Sequence, residues 1–314
     1  MVAYLCKSKD GALVRSSSSG GVFTHLARAV LEQGGAVFGS VYDGEKGCRH
    51  VRAESEEELA ALRGSKYLRS DLNDTFRQAQ EILGQNRPVL FTGTPCQIAK
   101  LAAKVDHPKL VTADLICHGV PETKVWDIYL ARFSSKPLTA NFRDKTEGWR
   151  NYSLRLAFPD GSVYRKNRAE DPFLRAYGAN LCLREACHQC LFNTLAKRAD
   201  ITLGDDWRPQ KTDDGTSVVL VHTPKGEALF ALAADGLHTE KAEFAAIAAA
   251  NQALLRPSVP HPKRESFLAS VTPENFDTLV AQYTKLTVYE MFLKILKKLF
   301  TNGGILSRRR RKSR

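Results

Sequence analysis

Two kinds of hydrophobic pattern alternate along the first 135 residues. Continuous apolar runs of strand length occur at 36–42, 88–93 and 110–117. Stretches with apolar residues at helical spacing lie around these runs and cover 22–33, 56–63, 73–84, 97–105 and 122–133. Short buried strands that alternate with amphipathic helices are typical of sheets joined by helical crossovers. The pattern therefore predicts an α/β fold with a largely parallel sheet and flanking helices.

The pattern changes after residue 135. Residues 151–158 alternate between polar and apolar side chains, and the turn sequence PDG precedes a second strand-like stretch, which predicts a β-hairpin. A cysteine-bearing segment covers 180–192. Strand-like runs follow at 200–205 and 217–223, and helical spacing covers 225–234, 241–252, 273–283 and 287–300. We predict an N-terminal α/β domain over 1–135, a second domain with a helical C-terminal part over 136–286, and a terminal helix with a basic tail over 287–314.

The composition is that of a globular protein, with 43% hydrophobic and 25% charged residues. At 314 residues the chain can bury a large core. No apolar stretch reaches the roughly 18 to 20 residues that a membrane-spanning helix requires. The first ten residues lack an apolar segment behind basic residues, so we expect no signal peptide. These features predict a cytoplasmic protein.

The formal net charge of +12 is concentrated at one end of the chain, because six positive charges lie in the last seven residues, RRRRKSR. The remainder has no basic stripe with interleaved aromatic residues, so we expect no nucleic-acid binding. The segment 288–300 carries an apolar stripe with lysines beside it. This helix and tail could rest on an anionic membrane surface, or the helix could pack on the domain with the tail in solvent.

Four of the seven cysteines occupy positions that favour a shared metal centre. Cys187 and Cys190 form a C-x-x-C pair, which can direct two thiolates at one centre. Cys96 follows a predicted strand at the start of a helix, and Cys117 ends the next predicted strand. The carboxyl ends of neighbouring parallel strands meet at one edge of a sheet, so these two cysteines can reach the same point. A helix N-terminus also favours the thiolate form of a cysteine.

The remaining cysteines and two histidines have simpler interpretations. Cys6, Cys48 and Cys182 are typical of small buried apolar residues, although Cys182 could replace one of the four. His118 and His188 adjoin cysteines and could be ligands, but we favour a supporting or solvent-facing role. Four cysteines suit zinc as well as iron–sulfur clusters. The alternatives to a redox protein are therefore a binding protein with a structural Cys₄ zinc site and a thiol enzyme with Cys96 as nucleophile.

A serine–glycine segment, Ser16 to Gly21, runs directly into the predicted helix that begins at Val22. Small residues, hydroxyl groups and a helix N-terminus together can bind a phosphate group. The same sequence is also an ordinary helix cap, so the signal is weak by itself. Arg63 and Lys66 lie near a turn and could meet a phosphate or a reduced flavin.

Eight short sequences occur in order along the chain: SSSGGVFTHLA, VFGSVYD, LRGSKYLRSD, LFTGTPCQI, DLICHGVP, NFRDKTEGW, CHQCLF and DITLGDDW. Together they resemble the beta-subunit family of coenzyme F420 hydrogenase/dehydrogenase, over residues 1–270. The resemblance implies an oxidoreductase that binds FAD and a [4Fe-4S] cluster. It also implies electron transfer between a one-electron carrier and a hydride acceptor, such as coenzyme F420 or a related metabolite.

The resemblance assigns residues of this chain to the two cofactors. Cys96, Cys117, Cys187 and Cys190 would hold the cluster. The flavin would contact the serine–glycine segment, the segment after residue 63 and the DITLGDDW motif, through Ser18, Ser19, Gly20, Gly21, Thr24, Gly64, Ser65, Lys66, Asp205 and Trp207. Lys66 or Arg63 would stabilise negative charge on the reduced flavin and are the predicted catalytic residues.

Two positions depart from the family pattern, since Asp206 stands where an aromatic residue is frequent and Arg208 where glycine is common. Flavin contact in this loop is therefore open. The chain also lacks the C-x₂-C-x₂-C-x₃-C run of the ferredoxin module that many bacterial relatives carry. We therefore expect a separate electron carrier, such as a ferredoxin or a partner subunit, and homo-oligomer formation stays open.

Overall fold

The structure is a computed structural model and describes residues 1–193, 199–210 and 212–285. The predicted terminal helix over 287–300 and the basic tail lie outside the described residues. Within the described ranges, no helix is long and apolar enough to cross a membrane.

Eleven strands and twelve α-helices make up the described part of the fold. The strands are β1 (Val2–Ser8), β2 (Ala36–Asp43), β3 (Gly47–Ala53), β4 (Val89–Gly93), β5 (Leu110–Leu115), β6 (Thr139–Asp144), β7 (Ser153–Ala157), β8 (Val163–Asn167), β9 (Ile201–Asp205), β10 (Ser217–Val221) and β11 (Leu237–Lys241). The helices are α1 (Gly11–Ser16), α2 (Val22–Leu31), α3 (Glu56–Leu62), α4 (Thr75–Gly84), α5 (Pro95–Ala102), α6 (Thr123–Leu130), α7 (Pro172–Gly178), α8 (Glu185–His188), α9 (Pro224–Ala233), α10 (Phe244–Ala250), α11 (Arg264–Ser270) and α12 (Phe276–Tyr283).

The main sheet has eight strands in the order β11-β1-β10-β9-β5-β4-β2-β3. Its centre, β9-β5-β4-β2, is parallel, and the strands on both sides of this centre pair antiparallel. This arrangement confirms the α/β class and the parallel strands predicted from the first 135 residues. Strands from both sides of residue 135 enter this sheet, while the division of the chain into domains at that residue stays a prediction.

Helices cover both faces of the main sheet, as the alternation along its strands requires. Val37 of β2 packs in the cluster that includes residues of α2, α3 and α9. Its neighbour Phe38 points to the opposite face, where α4 and α5 supply the apolar contacts. Leu90 and Phe91 of β4 divide between the two faces in the same way. The parallel centre is thus buried on both sides, which explains its continuous apolar runs.

A second, smaller sheet has the order β6-β7-β8. Its β7–β8 pair is the predicted hairpin, and Gly161 takes the turn conformation with a φ of +82°. Around this sheet, α6, α7, α11 and α12 form an aromatic core that includes Trp126, Tyr129, Phe173 and Phe276. Residues that follow β4 and β5 line one cavity together with residues of α6, and the candidate site lies in this cavity.

Candidate functional site: a cysteine-lined cavity

The four predicted cluster cysteines line one cavity of about 780 Å³. Cys96 is at the start of α5, Cys117 follows β5, and Cys187 and Cys190 lie in and after α8. The strands β4 and β5 are parallel neighbours, so the chain segments after them emerge at the same edge of the sheet. A β-bridge between Pro121 and Leu183 brings the segment of α8 to this edge. Three separate parts of the chain therefore supply the four thiols.

Cys96 occupies the first turn of α5, and this turn is held by a capping box. The side chain of Gln97 accepts the backbone N–H of Thr94 at 2.9 Å, and the Thr94 hydroxyl lies 3.2 Å from Cys96 Sγ. Gln97 Nε2 donates to the hydroxyl of Ser70, which is hydrogen-bonded to buried His50 at 2.8 Å. The side chains of Ser70 and His50, from two other segments, thus fix the position of the turn that carries Cys96.

Cys117 and Cys187 meet across a glycine. Gly119 has a φ of +126°, and a Cβ built on it would lie 3.2 Å from Cys187 Cβ and 3.1 Å from Leu183 Cδ1. The Cys187 Sγ accepts the backbone N–H of Val120 at 3.5 Å. A residue without a side chain is therefore needed here for the two cysteine-bearing segments to approach each other.

The end of the C-x-x-C segment is tied to Cys117 by one amide side chain. Asn193 Nδ2 donates to the carbonyl oxygen of Cys117 at 2.9 Å, and its Oδ1 accepts from Cys190 Sγ at 3.7 Å. Asn193 is almost fully buried. This asparagine therefore fixes the distance between Cys117 and Cys190.

The thiols act on one another electrostatically. Burial above all, opposed by the Gly119 backbone N–H and reinforced by the neighbouring Cys96, Cys187 and Cys190, raises the pKa of Cys117 to about 12. Burial also raises the pKa of Cys187. Four thiolates at this site would repel one another without a cation. The donor set of four cysteines therefore suits a positively charged metal centre.

No group of three or more Cys, His, Asp or Glu side chains in the described part of the chain stands close enough together to hold a single metal ion. The four thiols thus line one cavity, but no three of them stand close enough together to bind one metal ion.

His118 and His188 do not line the described walls of the cavity. Both face Ser258 instead: the Ser258 hydroxyl donates to the carbonyl of His118 at 2.5 Å, and His188 Nδ1 donates to the carbonyl of Ser258 at 2.7 Å. One serine from the C-terminal part thereby connects the segments of Cys117 and Cys187. The Nε2 atoms of both histidines are buried without a hydrogen-bond partner among the described residues, and their supporting role stays a prediction.

The other cysteines divide into two kinds. Cys6 and Cys182 are fully buried in apolar cores. Cys48 is buried as well, but it lines the same cavity as the four predicted ligands and lies 3.4 Å from the Ser40 hydroxyl. The cavity thus includes a fifth cysteine, which its sequence position on β3 did not indicate.

The hydroxyl groups of Ser18 and Ser19 in the serine–glycine segment make hydrogen bonds within the chain. Ser18 Oγ accepts the backbone N–H of Ser65 at 2.6 Å, which joins two of the predicted flavin-binding segments. Ser19 Oγ donates to the carbonyl of Thr216 at 2.8 Å. The two segments that the sequence assigned to the flavin therefore meet, but through a contact with each other.

Glycine is required at the two glycine positions of this segment for different physical reasons. A Cβ on Gly20 would lie 2.3 Å from the carbonyl oxygen of Cys6 and 2.8 Å from the backbone nitrogen of Ser217. Gly21 precedes α2 with a φ of +86°. Gly20 therefore allows close packing of the backbone, and Gly21 allows the turn into the helix.

The carbonyl groups of the segment are held by the NFRDKTEGW sequence. Trp149 Nε1 and Arg143 Nη2 donate to the carbonyl of Ser18 at 3.1 and 3.4 Å, and Lys145 Nζ donates to that of Ser19 at 3.2 Å. The carbonyls of Ser18 and Ser19 are thus used internally, whereas the Ser18 hydroxyl, which only accepts from Ser65, keeps its own O–H to donate beside the N-terminus of α2.

Arg63 and Lys66, the predicted catalytic residues, also make contacts within the chain. Arg63 Nε donates to Thr24 Oγ1 at 3.1 Å, and its Nη2 pairs with Glu56 at 2.5 Å. Lys66 Nζ donates to three carbonyl oxygens at the end of α3, at 2.8 to 3.1 Å. Burial lowers the pKa of Lys66 to about 8. Gly64, between them, has a φ of +84°.

Asp205 and Trp207 contact one buried arginine. Arg143 Nη2 lies 3.2 Å from Asp205 Oδ2, and the guanidinium stands 5.4 Å from the centroid of the Trp207 ring and 4.2 Å from that of Tyr152. Arg143 Nη1 donates to the hydroxyl of Tyr67 at 3.1 Å. The predicted flavin-binding residues 18, 65, 205 and 207 are therefore joined around Arg143.

A stacked tyrosine pair connects this arginine network with the cysteine cavity. The Tyr67 ring lies parallel to that of Tyr177, with 4.7 Å between centroids. The Tyr177 hydroxyl donates to the carbonyl of Gly119 at 3.1 Å. The two predicted cofactor regions are thus in continuous contact through the protein interior.

A family model for the C terminus of the coenzyme F420 hydrogenase/dehydrogenase beta subunit matches residues 86–245. The chain belongs to this family. A similar solved structure is a chain of the F420-reducing [NiFe] hydrogenase complex from Methanosarcina barkeri, with a TM-score of 0.54 and 18% identity over 90% of this chain and 88% of that chain. At this identity the likeness shows the fold alone. No curated protein matches the sequence.

The two departures from the family pattern contact each other. Asp206 is almost fully buried, and its carboxylate pairs with Arg208 at 2.8 Å. Arg150 Nη2 donates to the carbonyl of Arg208 at 2.6 Å. The unusual acid and the unusual base thus neutralise one another within their own loop.

Sequence reasoning missed several residues of the candidate site. Arg143, Lys145 and Trp149 lie in a sequence that supported the resemblance, but nothing local indicated that they hold a segment more than 120 residues away. Gln97 could have been found, because Thr94 followed three residues later by glutamine is the capping-box pattern. Asn193 carries no comparable signal.

Proposed function

We propose that this protein is a flavin- and iron–sulfur-dependent oxidoreductase. Cys96, Cys117, Cys187 and Cys190 would bind a [4Fe-4S] cluster, and FAD would be the flavin. The observation that carries this proposal is the meeting of the four thiols, from three chain segments, in one cavity. Membership of the F420 hydrogenase/dehydrogenase beta-subunit family supports a redox role.

The residues around the thiols fit a cluster. A cluster requires fixed cysteines and hydrogen-bond donors near its sulfur atoms. Gly119 permits the close approach, Asn193 connects Cys117 with Cys190, and the Val120 N–H points at Cys187 Sγ. A bound cluster would supply one-electron transfer, and these groups would hold its ligands and set their hydrogen bonding.

The flavin assignment has weaker support from the contacts. The residues predicted for it are close together, yet the Ser19 hydroxyl and the Ser18 carbonyl already have partners within the chain, and the Ser18 hydroxyl accepts from Ser65. The direct role of Arg63 and Lys66 in stabilising a reduced flavin likewise stays a prediction.

We further propose coenzyme F420, or a related metabolite, as the hydride partner, and a separate one-electron carrier or partner subunit as the other redox partner. The similar solved chain is part of a hydrogenase complex described as F420-reducing.

Binding of full-length protein and of the 1–286 fragment to anionic vesicles would test the proposed contact of the basic tail with a membrane surface. Equal binding of the two proteins would exclude this contact.

The first experiment is the visible spectrum and metal analysis of protein purified without oxygen. We expect flavin bands above a broad cluster absorbance, with about four irons per chain. Cys190→Ser should lose the iron, whereas Cys48→Ser should keep it, because Cys48 lines the same cavity without being a predicted ligand. Full iron in Cys190→Ser would remove the ligand assignment. A colourless protein with one zinc would instead support the structural zinc site.

A further inference from the structure

The main sheet ends in two edge strands, β3 and β11, which differ in how the described part of the chain covers them. Along β3, the N–H of His50 donates to the carbonyl of Asp71 at 2.7 Å, and the N–H of Asp71 donates to the carbonyl of Cys48 at 2.9 Å. The other edge strand, β11, pairs with β1 on one side, and no described segment pairs with it on the other side. An uncovered strand edge can pair with a strand of another chain.

The free side of β11 presents the backbone groups of alternate residues. The N–H of Ala242 donates to the carbonyl of Ala3 at 3.0 Å, and this contact sets the alternation, so the even-numbered residues of β11 bond to β1. The odd-numbered residues Leu237, Thr239 and Lys241 therefore direct their backbone groups outward. The N–H groups of Thr239 and Lys241 and the carbonyls of Leu237 and Thr239 have no hydrogen-bond partner among the described residues.

The side chains of β11 are complementary to those of a second, antiparallel copy of the same strand. When Thr239 lies opposite the partner's Thr239, His238 lies opposite the partner's Glu240, and Glu240 lies opposite the partner's His238. In this register, Thr239 and Lys241 of each copy donate their N–H groups to the carbonyls of Thr239 and Leu237 of the other copy. A two-fold axis through His238 or through Glu240 would instead place that residue opposite its own copy, and like charges directly opposite each other are destabilising. The sequence of β11 thus favours one register.

The helices before and after β11 expose small and apolar side chains. Leu232, near the C-terminal end of α9, is 61% exposed. The alanines Ala245, Ala246 and Ala249 of α10 are exposed as well. A stable dimer buries about 1,200 Å² or more of total surface, which is more than a strand of this length supplies by itself. Apolar side chains that adjoin both ends of the strand would supply further area.

From the free backbone groups, the complementary side chains and the exposed helices, we infer that β11 joins two copies of this chain into a dimer with one continuous sheet. Its two-fold axis is perpendicular to the sheet and passes between the two copies of Thr239. Because this axis reverses the strand direction, the carboxyl ends of β4 and β5 point to opposite ends of the sheet in the two copies. Three strands, β1, β10 and β9, separate β11 from β5. The dimer contact is therefore remote from the cysteine cavity.

Sedimentation velocity of the full chain, over concentrations of about 1 to 100 µM, tests this dimer. We expect the wild-type chain to show a monomer–dimer equilibrium. His238→Glu places a carboxylate opposite the partner's Glu240 at two positions, so it should weaken association about tenfold. The double variant H238E/E240H has the wild-type composition and again places opposite groups against each other. It is the matched control, and its dissociation constant should lie within about twofold of the wild-type value.

Thr239→Pro gives a second readout, from the backbone. It removes an outward N–H and leaves the hydrogen bonds between β11 and β1 in place, so it should weaken association about tenfold. Thermal unfolding at a concentration where the chain is monomeric shows whether this variant keeps its fold. Neither measurement depends on a bound cofactor, so the result is independent of the proposed redox function. A wild-type chain that is monomeric at every concentration, or a dimer with an unchanged dissociation constant in His238→Glu or in Thr239→Pro, would overturn the inference.

Discussion

Replacement of Gly119 by alanine tests whether one close contact controls the cysteine cavity. An added Cβ would lie 3.2 Å from Cys187 Cβ and 3.1 Å from Leu183 Cδ1, on a backbone with a φ of +126°. The backbone strain costs about 1–3 kcal/mol, and the crowding of packed side chains adds about 1 kcal/mol or more. We therefore expect Gly119→Ala to lower the free energy of unfolding by about 2–4 kcal/mol and to displace Cys187.

Gly161 supplies the matched control for this experiment. It also has a positive φ, of +82°, but a Cβ there would have no neighbour within 4 Å. Gly161→Ala should therefore cost only about 1 kcal/mol, from the backbone alone. Because Gly161 lies in the β7–β8 turn, this variant should keep its iron.

Urea unfolding gives the stability of both variants, and iron per chain gives the state of the cavity. We expect Gly119→Ala to lose iron and visible absorbance even under conditions in which the variant is fully folded, so that unfolding does not explain the loss. Wild-type iron content in Gly119→Ala, together with a stability equal to that of Gly161→Ala, would refute the reasoning.

Three further variants test other contacts. Ser258→Ala removes the hydrogen bond to the His118 carbonyl, so it should lower the free energy of unfolding by about 1 kcal/mol and speed the loss of iron to a chelator. Ser258→Thr should restore the stability and the slower iron loss. An unchanged rate of iron loss in Ser258→Ala would contradict the connection between the two cysteine segments. Arg143→Met should lower the free energy of unfolding by about 2–4 kcal/mol, with a smaller loss in Arg143→Lys, because Asp205 loses its partner; identical urea curves would argue against the network. The lowered pKa of Lys66, about 8 against 10.5 in the unfolded chain, means that the unfolded state binds more protons between these values. The free energy of unfolding should therefore rise as the pH increases from about 8 to 9, above which the titration of buried thiols reverses the trend. This rise should be smaller in Lys66→Met. An equal pH dependence of thermal unfolding in the two proteins would show that the Lys66 ammonium is not desolvated.

Local patterns predicted the elements whose environment is uniform. The strands β2, β4 and β5 are buried on both faces, so their apolar runs are visible in the sequence. The β7–β8 hairpin was found because its turn residues act locally. By contrast, β1 and β11 were missed, since strands of mixed composition owe their position to their partner strands in the sheet.

The sequence likewise predicted some residues of the candidate site and missed others. Cys96 and Cys117 could be expected to meet, because parallel strands place the segments after them at one edge. The contact of Cys48 with the cavity could not be expected, since its neighbours on β3 differ in no visible way from those of a buried core cysteine. The role of Arg143 also depended on segments distant in sequence.

The sequence by itself determined the fold class and the family, because both depend on short ordered motifs and local periodicity, and it singled out four cysteines whose role as ligands stays a prediction. Only the tertiary structure decided which donors remain free. Hydrogen bonds with distant segments engage the Ser19 hydroxyl and the Ser18 carbonyl, whereas lysines as far apart as Lys46 and Lys136 line one cavity without partners among the described residues. Whether a polar group is available to a ligand depends on which other groups the fold brings next to it, and that information is absent from any local stretch of sequence.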